Sequence, residues 1–162
     1  MSEAERFSSA AEAGTAFPPP FIYFIALGAG YLLHRLWPLP IVREQGEHLA
    51  LVGWILVGLW GVFTAWTLAH YLAAKNSLAP TRPTATLVEH GPYRVSRHPM
   101  YLGLAVLSLG VCFLWNALWP VLLLPVAVVV LDRTIIVAEE LYLEQRFGDQ
   151  YRRYKERVRR WL

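Results

Sequence analysis

Residues 99–131 read PMYLGLAVLSLGVCFLWNALWPVLLLPVAVVVL, a stretch without one Asp, Glu, Lys or Arg. At 1.5 Å per residue it is too long for a single crossing of a hydrocarbon core about 30 Å thick. Trp115-Asn116-Ala117-Leu118-Trp119-Pro120 supplies the cut, because one uninterrupted helix would carry Pro120 and Pro125 in its interior. The sequence predicts a helical hairpin of two shortish spans, about 100–115 and 118–137.

Two further apolar runs lie upstream. The first, 21–37, closes on Trp37-Pro38 and carries His34 and Arg35 near its end, where an arginine can snorkel to the interface. The second, 49–74, has no Asp, Glu, Lys or Arg and is long enough to tilt or protrude. Composition agrees: 56% of the 162 residues are hydrophobic and 17% charged, against roughly 45–50% and about 25% in soluble domains. The chain is therefore expected to be all-α, a polytopic integral membrane protein with about four transmembrane helices. A soluble catalytic domain of ordinary size is excluded, since one domain's worth of chain is present. So is a disulfide scaffold, because Cys112 is the single cysteine. No Cys/His cluster has zinc spacing, and no metal site is expected.

Segment 1–20 is polar, ends in Pro18-Pro19-Pro20 and is expected to be flexible. It has no basic stretch leading into an apolar one, so no secretory signal is read there. With four spans, the N-terminus, the 75–99 loop and the C-terminal segment share a side. That side holds Arg6, Lys75, Arg82, Arg94, Arg97 and the tail from Arg146 to Arg160; the other holds Arg35 and Arg43. The positive-inside rule places both termini in the cytoplasm, and the membrane is the inner one if the source is bacterial. The net charge of +3 then points to membrane lipids rather than nucleic acid, and no obligate protein partner is evident. Gly28 and Gly30, Gly53, Gly58 and Gly61, and Gly103 and Gly110 read as small-residue faces for helix packing. Gly28-Ala29-Gly30 is no dinucleotide loop, having no strand before it.

The residues that carry chemistry begin at Leu87-Val88 and run through Gly91-Pro92-Tyr93-Arg94 to Arg97-His98-Pro99-Met100-Tyr101. Gly91-Pro92 marks a turn, and Pro99 suits the first turn of a helix. Free N–H groups at that start, with Arg97 and His98 beside it, suit a carboxylate or phosphate. A plain basic loop at the membrane surface is an equal reading of the same residues. Farther on, Asp132-Arg133 and Glu139-Glu140 enter or leave the last span. Charges there usually face the protein interior and mark function. On a regular helix Asp132 shares a face with Glu139, and Arg133 with Glu140. Leu143, Phe147, Tyr151, Tyr154 and Val158 then form a stripe opposite Arg146, Arg152, Arg153, Lys155 and Arg159. That is an amphipathic cytoplasmic helix suited to an anionic leaflet, with Gly148 as a local break.

Gly91-Pro92-Tyr93-Arg94, Arg97-His98-Pro99-x-Tyr101-x-Gly103 and Glu139-Glu140-x-x-Leu143-x-x-x-Phe147-Gly148-x-x-Tyr151-x-x-Tyr154 closely resemble the isoprenylcysteine carboxyl methyltransferase family. Related phospholipid N-methyltransferases share much of the pattern. The resemblance covers roughly the last eighty residues. It implies a methyltransferase core over 75–162, after two helices in 21–74, that uses S-adenosylmethionine and yields S-adenosylhomocysteine. It further implies cofactor binding by Leu87, Val88, Tyr93, Arg97, His98, Pro99, Tyr101, Glu139 and Glu140, with Arg133 and Glu140 as catalytic residues. Of the acidic pair, Glu140 is favoured for the cofactor ammonium because of its coupling to Arg133. The acceptor is expected to be lipid-like or lipid-anchored, with a phospholipid amine or a small thiol as alternatives. From another class, a non-enzymatic membrane scaffold or a haem protein using two of His34, His48, His70, His90 and His98 competes, His70 being the best haem ligand.

Overall fold

The computed structural model describes residues 20–43, 46–76 and 84–162. The flexible segment expected over 1–20 lies outside the described residues, save Pro20, which starts a helix. Among the described residues every regular element is helical. In chain order these are α1 (Pro20–Leu36), α2 (Glu47–Ala73), a 3-10 turn (Gly91–Arg94), α3 (Pro99–Leu114) and α4 (Leu118–Leu131). A π turn (Asp132–Ile136), α5 (Val137–Phe147) and α6 (Asp149–Arg157) follow. Two helical stretches are long and apolar enough to cross a membrane, Glu47–Ala73 and Leu118–Phe147; α1 and α3 are shorter apolar helices.

The chain forms two compact units, and each gathers segments distant in sequence. One unit joins the described residues of 20–63 with Tyr101–Leu131. Here α1 packs along α4, close enough that a Cβ on Gly30 would overlap the Pro120 Cα and lie 2.6 Å from its nitrogen. Gly53 and Gly110 make a second close approach, a Cβ on Gly53 falling 2.9 Å from Leu114 and 3.0 Å from the Gly110 carbonyl. Gly28, Gly58 and Gly61 meet nothing within 4 Å, so only part of the expected small-residue pattern is used for packing. The buried Tyr23 donates its hydroxyl proton to the Tyr101 carbonyl at 3.2 Å.

The interruption between α3 and α4 falls at residues 115–117, where Asn116 takes φ +48°, a left-handed conformation that asparagine tolerates. Its side chain is also a clamp. Oδ1 accepts the Ile41 and Val42 N–H groups at 2.9 and 3.0 Å, and Nδ2 donates to the Val42 carbonyl at 2.9 Å. Both prolines lie within the second helix of the hairpin, as the expected span 118–137 has them. Pro120 occupies the first turn of α4, where its missing N–H removes no bond, and α4 continues through Pro125. Helical backbone continues past 137, through the π turn to Phe147.

The other unit joins Thr64–Met100 with Asp132–Leu162. Asn76 anchors the start of its loop. Oδ1 accepts from Ala85 and Thr86 at 2.8 and 3.0 Å, and Nδ2 donates to the Thr86 carbonyl at 2.9 Å. Gly91, at φ +59°, lies directly on the His70 ring, leaving no room for a side chain. Gly148 at φ +52° ends α5, so the single amphipathic helix predicted from the tail stripe is two helices. Tyr151, Tyr154 and Val158 are 1%, 2% and 8% exposed and pack with Leu87, Leu143 and Phe147. That apolar stripe is thus spent on the protein itself rather than left for a leaflet.

Candidate functional site

Burying Glu140 at 6% exposure requires compensating charge, and three basic side chains provide it. Arg97 Nη1 is 3.0 Å from Glu140 Oε1, off the hydrogen-bond line. His98 Nε2 lies 3.3 Å from the same oxygen. Arg160 takes the carboxylate in a fork, Nε to Oε1 at 3.2 Å and Nη2 to Oε2 at 2.6 Å. Its third nitrogen, Nη1, reaches Asp132 Oδ2 at 3.1 Å. The hydrogen bonds it donates to Glu140, with Asp132 adding its charge, push the Arg160 guanidinium above its already high ordinary range.

The π turn decides which acid faces which base. Its wider winding holds back the rotation of everything after it by nearly one residue. Asp132 therefore shares its partner with Glu140, eight residues on, and not with Glu139. The expected coupling of Glu140 to Arg133 is corrected by the same turn: Arg133 is exposed, while Glu140 is held by Arg97, His98 and Arg160. Glu139 takes a different setting. Its side chain is 41% exposed and its Oε2 lies 3.6 Å from His98 Nδ1. Burial, then the neighbouring Tyr71 and Glu139, raise the Tyr93 hydroxyl well above the usual tyrosine range. His98 thus has one carboxylate near each ring nitrogen, one buried and one half-open.

The other residues singled out in the sequence are divided. Pro99 is buried at the start of α3, immediately after His98. Val88 is buried, and Leu87 packs on the Tyr151–Tyr154–Val158 cluster. Tyr93 is half-buried, its carbonyl accepting from Tyr154 Oη at 2.6 Å. Tyr101 belongs to the other unit, where its carbonyl serves Tyr23. Sequence reasoning missed Ser96, Arg160 and Trp161. Trp161 Nε1 donates to Asp132 Oδ1 at 3.0 Å. One signal was available: Asp132 at the end of an apolar run needs a partner, and the tail is rich in arginine.

The Tyr154 bond ties α6 to the loop within a dry contact. Tyr154→Phe is expected to destabilise the protein by ~1–2 kcal/mol, because it strands the Tyr93 carbonyl. Denaturant midpoints in detergent check this; an unchanged midpoint means α6 is not held by that bond.

Residues 49–150 match the family model of phospholipid methyltransferases, and the chain belongs to that family. It is 28% identical over 159 residues to methanethiol S-methyltransferase 1 of Bradyrhizobium diazoefficiens, a match covering 85% of this chain and 51% of that protein. The chain thus spans about half the length of that relative. It is also 46% identical over 65 residues to an uncharacterized protein of Haemophilus influenzae, covering 39% of this chain and all of that one. No solved structure matches it significantly. The chain is a methyltransferase with membrane-type apolar helices, and its class of reaction requires a methyl donor.

Proposed function

We propose that this protein is an integral membrane S-adenosylmethionine-dependent methyltransferase acting on a lipid-like or lipid-anchored acceptor. The observation that carries the reading is the His98 imidazole set between the buried Glu140 and the half-open Glu139, in a chain of the phospholipid methyltransferase family. The donor's amino-acid end is a zwitterion and needs an acid that a ligand arriving from solvent can reach. Glu140 is saturated by Arg97, His98 and Arg160; Glu139 is the more exposed acid, near Tyr93. Glu139 therefore takes the donor ammonium, and Glu140 acts one step behind it. His98 and the helix start at Pro99 face the carboxylate, Tyr93 offers a ring face to a cation, and Leu87 and Val88 supply apolar wall. The exposed Arg133 is free to position the acceptor. S-adenosylmethionine, when bound, supplies an electrophilic methyl group on a sulfonium.

What the chain must add is alignment and exclusion of water. With His98 engaged by both carboxylates and assigned to the donor, a carboxylate or sulfur nucleophile suits the site better than an amine that must first lose a proton. A small thiol is the second reading, favoured by the name of the Bradyrhizobium relative. In this reading α1 to α4 supply four spans, with the loop, the tail and both termini cytoplasmic, in the inner membrane if the source is bacterial. The cofactor enters from that side, and a lipophilic acceptor enters laterally.

Calorimetry in nanodiscs tests the donor. Saturable binding of S-adenosylhomocysteine is expected, and Glu139→Gln should weaken it about tenfold, the loss of one charge-assisted hydrogen bond. Well-folded protein that ignores S-adenosylhomocysteine and binds a nicotinamide cofactor would instead be a reductase. Labelled methyl transfer to a prenylcysteine, a phospholipid amine and methanethiol then separates the acceptors.

A further inference from the structure

Val158 leaves α6 in an extended conformation, φ −124° and ψ 128°, and residues 159–161 lie as a strap on the loop that precedes α3. The Arg97 N–H donates to the Arg159 carbonyl at 3.1 Å. The fully buried Ser96 donates from Oγ to the Arg160 carbonyl at 3.0 Å, and the same Oγ accepts the His98 N–H at 3.2 Å. On the other side of the strap, the Arg160 fork and the Trp161 indole hold Glu140 and Asp132. Arg160 is joined through its backbone to the loop of His98 and through its side chain to the acids of the π turn and α5.

We infer that Arg160 is a positioning residue for the acidic site: by fixing Glu140 it sets how His98 faces Glu139. This rests on the donor reading above for its effect on binding. Glu140 Oε2 is committed to Arg160 Nη2 at 2.6 Å, which turns Oε1 toward Arg97 and His98. With Nε2 of His98 committed to Oε1, Nδ1 is the nitrogen left on the Glu139 side. Remove the fork and Glu140 has basic neighbours on one side only, and its carboxylate turns toward them. Asp132 meanwhile loses its countercharge at the end of an apolar helix. A lysine supplies the charge at one point but cannot match both carboxylates in a plane.

Two measurements on the full chain in nanodiscs test this. First, S-adenosylhomocysteine affinity is compared for the parent, Arg160→Ala, Arg160→Lys and Trp161→Phe. Arg160→Ala should bind about tenfold more weakly, because a displaced His98–Glu139 pair forfeits the charge-assisted contact to the ammonium. Arg160→Lys should recover only part of that, and Trp161→Phe, which keeps the ring and loses the N–H, should change affinity less than Arg160→Ala. Parent-like affinity in Arg160→Ala overturns the inference, as does full rescue by lysine.

Second, a double-mutant cycle on ligand-free thermal midpoints pairs Arg160→Ala with Glu140→Gln, or with Asp132→Asn where Glu140→Gln does not fold. Strong non-additivity is expected, because both changes dismantle one contact; additive effects overturn the inference. A parent that binds no S-adenosylhomocysteine removes the donor reading instead, and this cycle alone then decides whether Arg160 sets the acids.

Discussion

Glu140→Gln is expected to cost about 3–5 kcal/mol of stability, because it breaks a buried ion cluster by removing its acid. The carboxylate is buried against Arg97, His98 and Arg160. A neutral amide leaves Arg97, at 11% side-chain exposure, without its countercharge in a dry setting. The glutamine also presents an NH₂ to donors that need an acceptor. Glu139→Gln should shift the unfolding midpoint far less, since its side chain is 41% exposed. Denaturant titration of both variants in the same detergent checks the contrast. Equal midpoints would mean that the three basic groups do not converge on Glu140 in solution. The two glutamates thus separate by stability: Glu140→Gln lowers the unfolding midpoint strongly, whereas Glu139→Gln acts mainly on ligand affinity.

Gly30→Ala should be the most damaging single-methyl addition in the other unit. The new Cβ would overlap the Pro120 Cα and approach its nitrogen to 2.6 Å. Backbone cannot swing aside as a side-chain tip does, so α1 must move away from α4. Overpacking of this kind costs ~1–3 kcal/mol, and backbone contact puts Gly30→Ala at or above the upper end. Gly28→Ala is the matched control, because nothing lies within 4 Å of that position. It should be neutral or stabilising by up to ~1 kcal/mol, the helix propensity difference between the two residues. Thermal unfolding of the pair reads out the difference; two variants of equal stability would deny the close approach of α1 and α4.

Much of the fold was legible because apolar length is a strong signal. The runs beginning near 21, 49, 100 and 118 are all helices, and the break after Leu114 falls where Trp115-Asn116 interrupt the pattern. What periodicity could not supply was the π turn. A helical wheel assumes 100° per residue, and five residues of wider winding after Leu131 shift Glu139 and Glu140 by nearly a full position. This is why the acids were paired with the wrong partners, Asp132 with Glu139 and Arg133 with Glu140. The motif residues His98, Arg97 and Glu140 do meet, 42 residues apart between His98 and Glu140. Arg160 escaped because a tail of alternating basic residues reads as solvated surface. Nothing in its spacing distinguishes it from Arg159, which is exposed. The tail stripe was legible as amphipathic, but periodicity does not say what an apolar face will cover; Leu87 covers part of it.

The interleaving of the two units also dictates an order of assembly on the ribosome. Arg97 and His98 leave the exit tunnel 42 residues ahead of Glu140 in the case of His98, and Arg160 follows Glu140 by another 20. Until those residues arrive, Arg97 and His98 stand at the start of α3 without the carboxylate they meet in the finished fold. The site therefore closes from its C-terminal end: Glu140 brings the acid, and only the strap of residues 159–161, synthesised last of the three parts, locks it in place.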